Sequence, residues 1–139
     1  MNDKTRSSNA MKRPIVLVVE PSILARLVIC DYLRDCEYQV LEASNTSEAI
    51  VILDESGLPV DVILSEVQLP GEMDGFTFAR YVRQKHPHIR MLLAGTVAKA
   101  AKAAAEICEE GPLLAKPYDQ QLVLDRIKRL MASADEAES

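Results

Sequence analysis

Five short aliphatic runs, each followed by a stretch with helical spacing, leave this chain few folds to adopt. Ile15-Val16-Leu17-Val18-Val19 is β-branched at four of its five positions. It is too short for a buried helix and lacks polar alternation, the pattern of a strand covered on both faces. Residues 23–36 follow, with Ile23, Leu27, Cys30 and Leu33 near helical spacing and Arg26, Asp31 and Arg34 off that stripe. Residues 38–43 predict a second strand, and Asn45, three residues before Glu48, opens a helix through Glu55 that Gly57 stops. The series continues with a strand at 60–64, a helix at 76–85 ended by His86-Pro87, and a strand at 90–94. An alanine-rich helix at 98–110, a strand at 113–115 and a last helix from Asp119 to about Met131 complete it. Repeated β–α units specify a parallel sheet with helices on both faces, a doubly wound α/β domain over residues 13–131. Residues 1–12 and 132–139 read as disordered tails.

In such sheets the working crevice lies beyond the carboxyl ends of the strands, where strand order reverses. Strand one ends in Glu20, strand three in Ser65-Glu66, strand four in Ala94-Gly95 and strand five in Lys116-Pro117. With strand order 2-1-3-4-5, two carboxylates and a lysine converge on one rim.

Composition narrows the partners. A formal charge of −5 argues against nucleic acid or an anionic membrane. No apolar run approaches the roughly 20 residues that span a bilayer, and the polar start lacks the middle of a signal peptide, so the expected location is the cytoplasm. Cys30, Cys36 and Cys108 are an odd number without CxxC spacing, which suits reduced thiols. With no Trp, four Tyr and two Phe there is no stacking platform for single-stranded nucleic acid. His86-Pro87-His88 reads as an exposed helix end rather than a metal site, and Gly71 and Gly75 as turn residues.

Four features in order resemble the receiver domain of two-component response regulators, over residues 14–131. They are the strand running into Glu20-Pro21-Ser22; the loop Ser65-Glu66-Val67-Gln68-Leu69-Pro70-Gly71-Glu72-Met73-Asp74-Gly75; the strand ending Leu92-Leu93-Ala94-Gly95; and Lys116-Pro117-Tyr118. The resemblance implies a flavodoxin-like fold of five parallel strands. It also implies a chemistry: an aspartate ending strand three accepts a phosphoryl group, assisted by Mg²⁺ on an acidic pair, by a hydroxyl residue after strand four and by a lysine after strand five.

The pocket positions depart from that pattern. Glu66 stands at the phosphoacceptor position, Pro21 replaces the second acid after Glu20, Ala94 stands at the hydroxyl position, and Leu113 at the switch aromatic. Lys116 is retained. Sliding the register by two residues offers Thr96 as the hydroxyl. Glu66 is either a lasting partial mimic of the phosphorylated state or drift that keeps a counter-charge for Lys116. The implied function is a stand-alone signalling module of a phosphorelay that acts by protein contact, without aspartyl phosphorylation, enzymatic activity or a bound metal. Weak Mg²⁺ binding at Glu20 and Glu66 is disfavoured by the lysine they face. The implied partner is a histidine kinase or downstream regulator, contacted through the 98–110 helix, strand five and the last helix; homodimerisation stays open. Two alternatives remain: a working receiver accepting phosphate on Glu66, and a flavodoxin-like enzyme or nucleotide binder. The latter is disfavoured by Pro21-Ser22, where a glycine-rich phosphate turn would sit.

Overall fold

The computed structural model describes residues 13–95 and 114–138, with side chains to Ala132. Five strands, β1 (Ile15–Val19), β2 (Gln39–Ala43), β3 (Val62–Glu66), β4 (Arg90–Gly95) and β5 (Leu114–Ala115), form one parallel sheet in the order β2-β1-β3-β4-β5. Four helices are present among the described residues: α1 (Ile23–Asp35), α2 (Thr46–Glu55), α3 (Gly75–Lys85) and α4 (Gln120–Glu138). The expected helix at 98–110, together with Thr96, Leu113, Cys108 and the 1–12 tail, lies outside the described residues.

Strand alternation builds two cores. Leu17 and Val19 of β1, Ile63 of β3 and Leu93 of β4 pack with Ala49 of α2 and Phe78, Ala79 and Val82 of α3. Val16, Val18, Val62, Leu64 and Leu92 face the other way, onto Ile29, Cys30 and Leu33 of α1 and Val123, Ile127 and Leu130 of α4. Each fully buried aliphatic or aromatic side chain contributes about 1.5–3 kcal/mol of transfer free energy. Burial also pushes the Cys30 thiol up to about 12, which keeps it protonated and inert.

The helix starts follow ordinary capping. Ser22, Asn45 and Asp74 accept from the backbone N–H groups of Ala25, Glu48 and Thr77. Glu48 reaches back to the Ser44 N–H at 2.7 Å, one residue ahead of the cap.

Several expectations need correction. The core stripe of α1 is not the one read from the sequence: Ile23 and Leu27 are exposed, and Ile29 is buried with Cys30 and Leu33. α1 carries apolar residues around most of its circumference, so periodicity alone does not select the arc that meets the sheet. The third strand is Val62–Glu66, two residues later than expected; Asp61 just ahead of it already bonds through its backbone to Ile15 and Arg90, and its side chain accepts the Ile15 N–H at 2.8 Å. α4 continues past Met131 to Glu138, so the segment read as a tail is helical over most of its length. His86 is a helix end but not an open one: its side chain is 21% exposed and Nε2 lies 3.5 Å from Asp54. Gly75 is a point of close backbone approach rather than a turn. A Cβ there would stand 2.6 Å from the Cα of Val67.

On the outer edge of the sheet, Glu42 of β2 pairs with Arg26 (3.2 Å) and Arg34 (3.0 Å) of α1. Arg34 also donates to the carbonyl of Val40 at 2.9 Å.

Candidate functional site

The register of the parallel ladder brings the expected residues to one rim. Val19 lies opposite Ser65, and Glu66 opposite Ala94, so β1, β3 and β4 end together. The N–H of Glu20 donates to the carbonyl of Ala43, and the N–H of Val67 to that of Ala94, both at 2.9 Å. These bonds carry the ladder past the strand ends and fix the backbone from which both carboxylates project.

Glu20 has no solvent exposure, and Glu66 only 8%. A buried carboxylate needs donors on both oxygens. Lys116, just past β5, supplies the charge: its Nζ lies 2.7 Å from Glu20 Oε1 and 2.5 Å from Glu66 Oε1. Glu20 Oε2 accepts the Ser22 N–H at 3.0 Å, and Glu66 Oε2 accepts the Gln68 N–H at 2.9 Å. All four carboxylate oxygens are engaged. Burial works to lower the pKa of Lys116, but hydrogen bonds to both glutamates and their charges outweigh it, so the ammonium is held above its ordinary value.

A further participant was not assigned to the pocket from the sequence. The hydroxyl of Tyr118 donates to Glu20 Oε1 at 2.8 Å, and the ring of Tyr118 lies 5.5 Å from Lys116 Nζ. Burial, then the charge of Glu20 and the hydrogen bond to it, hold the phenol strongly protonated. Tyr118 was legible as the aromatic of Lys-Pro-Tyr. Its contact with a residue 98 positions earlier was not.

The remaining positions bring no polar side-chain group. Ala94 is fully buried, and half-exposed Pro21 has neither an N–H nor a side-chain donor atom. Arg26 braces the rim from α1, its Nη1 donating to the Glu20 carbonyl at 2.7 Å. Leu113 and Thr96 lie outside the described residues.

The family model for the response regulator receiver domain matches residues 16–128. The chain belongs to that family. As a receiver domain it is 31% identical over 121 residues to the sensor kinase CckA of Brucella abortus, covering 86% of this chain and 13% of that protein. It is 29% identical over 129 residues to the transcriptional regulatory protein AruR of Pseudomonas aeruginosa, covering 91% and 52%. Among solved structures, the chemotaxis response regulator CheY4 of Vibrio cholerae superposes with a TM-score of 0.74 at 27% identity, covering 86% of this chain and 99% of that one. The receiver domain thus spans about half or less of these curated relatives and nearly all of the single-domain structure. Its sheet order is the flavodoxin-like one expected. No helix among the described residues is long and apolar enough to cross a membrane.

Proposed function

We propose that this receiver domain works as a protein-contact module in two-component signalling, with its phosphorylation pocket replaced by an internal ion-pair latch. The observation that carries this reading is the position of Lys116 Nζ between Glu20 and Glu66. Mg²⁺ asks for near-octahedral oxygen donors at about 2.0–2.1 Å. This pocket offers two carboxylates already committed to an ammonium, and Pro21 where a further acid would stand, so the donor set does not fit the ion. Glu66 is also a poor nucleophile in this state, since both its oxygens accept hydrogen bonds, and Ala94 has no hydroxyl to hold a transferred phosphoryl group.

Incubation with acetyl phosphate and Mg²⁺, followed by intact-mass measurement, is expected to leave the protein without a phosphoryl adduct. A stoichiometric adduct on Glu66 would favour the working-receiver alternative and defeat the latch reading. Pro21→Asp, Glu66→Asp and Ala94→Thr together are expected to restore both Mg²⁺ binding and an adduct, while each alone does little, because such groups act as a unit.

A contact role has its own support. Ile23, Leu24, Leu27 and Val28 of α1 are 72%, 68%, 50% and 50% exposed, on neighbouring positions just after the pocket residue Glu20. Four large apolar side chains grouped in this way on a small domain suit a partner surface. Of the surface expected from the family, the 98–110 helix falls outside the described residues. Changing Leu24 and Leu27 together to glutamate is expected to weaken binding to a cognate kinase or regulator by about tenfold or more, with the circular dichroism spectrum unchanged. Unaltered affinity would move the contact surface elsewhere.

A further inference from the structure

We infer that Tyr118 is a positioning residue that closes the pocket to divalent cations by holding Glu20 onto Lys116. The inference rests on the latch reading above and names the residue that keeps the latch shut. Tyr118 touches both members of the Glu20–Lys116 pair. Its hydroxyl donates to the same Oε1 that accepts from Lys116, and its ring offers a face to the ammonium. Glu20 is fully buried and cannot turn to water for another donor.

With the phenol in place, Oε1 has two donors and Oε2 has the Ser22 N–H. The hydroxyl takes the lone pair that a metal ion, or a water bound to it, would otherwise use. Lys116 supplies the charge that a cation would bring, and Tyr118 removes the vacancy at which it could compete. A phenol donates without adding charge, so it strengthens the hold on Glu20 without repelling Lys116.

The test is Mn²⁺ binding, followed by titration calorimetry and by the loss of free-ion EPR signal. The proteins are wild type, Tyr118→Phe, Lys116→Met, the double variant and Tyr32→Phe as control. Tyr32 lies on α1, and its hydroxyl donates to Gln121 at 3.4 Å. Tyr118→Phe keeps the ring and removes one hydrogen bond to a charged group, so it is expected to bind Mn²⁺ about tenfold more tightly than wild type. The double variant is expected to bind more tightly than Lys116→Met alone, and Tyr32→Phe to match wild type.

A merely structural Tyr118 would lower the melting temperature of the variant and leave Mn²⁺ affinity where it was; that result overturns the inference. So does a double variant no tighter than Lys116→Met. If Lys116→Met does not fold, the comparison of Tyr118→Phe with Tyr32→Phe decides alone. A wild-type protein that binds Mn²⁺ tightly and takes up phosphate would instead sink the latch reading itself.

Discussion

Lys116→Met is expected to destabilise the fold by about 3–5 kcal/mol, the cost of leaving buried charge without its partner. Glu20 and Glu66, with side chains 1% and 10% exposed, would face each other across an apolar stem. Against a total stability of roughly 5–15 kcal/mol for a domain of this kind, that is a large fraction. Urea denaturation at neutral pH measures it. Lys116→Arg is not a neutral control, because a planar fork does not occupy the site of a point charge. A loss below about 1 kcal/mol would mean that the glutamates relax to other partners and that the latch contributes little to the fold.

The same pocket sets an alkaline limit, and its sign follows from the shifts. Lys116 is held above its ordinary value of 10.5, and Tyr118 above 10.0. A group whose folded value is raised binds its proton more tightly in the native state. Its contribution is complete below the unfolded value and is lost as pH climbs through the folded one. Stability is therefore expected to fall from about pH 10 upward in wild type, and to fall less steeply in a Lys116→Met, Tyr118→Phe background. Absorbance at 295 nm offers a parallel reading, since Tyr118 should ionise only with unfolding.

Gly75→Ala is the second change with a large expected effect. A Cβ at this position meets the carbonyl oxygen of Glu66 and stands 2.6 Å from the Cα of Val67, all backbone atoms that cannot swing aside. The Gly75 N–H also donates to the Val67 carbonyl at 2.8 Å, so helix and strand end are tied at the point where they would have to part. Overpacking of this kind costs about 3 kcal/mol. The displaced strand end carries Glu66, so the pairing with Lys116 weakens as well. Gly71→Ala is the matched comparison: with φ of +98° but nothing within 4 Å, it meets only backbone strain and should cost about 1 kcal/mol. Equal losses at the two glycines would refute the close-approach argument.

The central strands were legible because burial on both faces leaves a nearly unbroken aliphatic signature, as in Ile15-Val16-Leu17-Val18-Val19. The rim residues Glu20, Glu66, Ala94 and Lys116 were legible because strand ends in a parallel sheet fall at one level. The facing of α1 was not. Ile23, Leu24, Leu27, Val28 and Ile29 supply two overlapping apolar arcs, and only packing against β1 and β2 selects one. The length of α4 was misjudged from the polarity of its last residues. Ala132, Ala134, Glu136 and Ala137 are good helix formers with no Gly or Pro to stop them, so propensity was the better guide. Tyr118 was missed because a contact between the end of β1 and a loop after β5 leaves no local trace in the chain.

The charged side of β2 limits how this domain can join other proteins. β2 is an edge strand, and exposed edges invite another chain to add itself by backbone pairing. Here Arg34 occupies the Val40 carbonyl, and Glu42 lies between two guanidinium groups. An incoming strand would have to displace a charge-assisted bond and desolvate three charged side chains. Stacking of copies into a continuous ribbon is disfavoured along that side, and assembly is steered toward the helical faces, where geometry can select one partner over another.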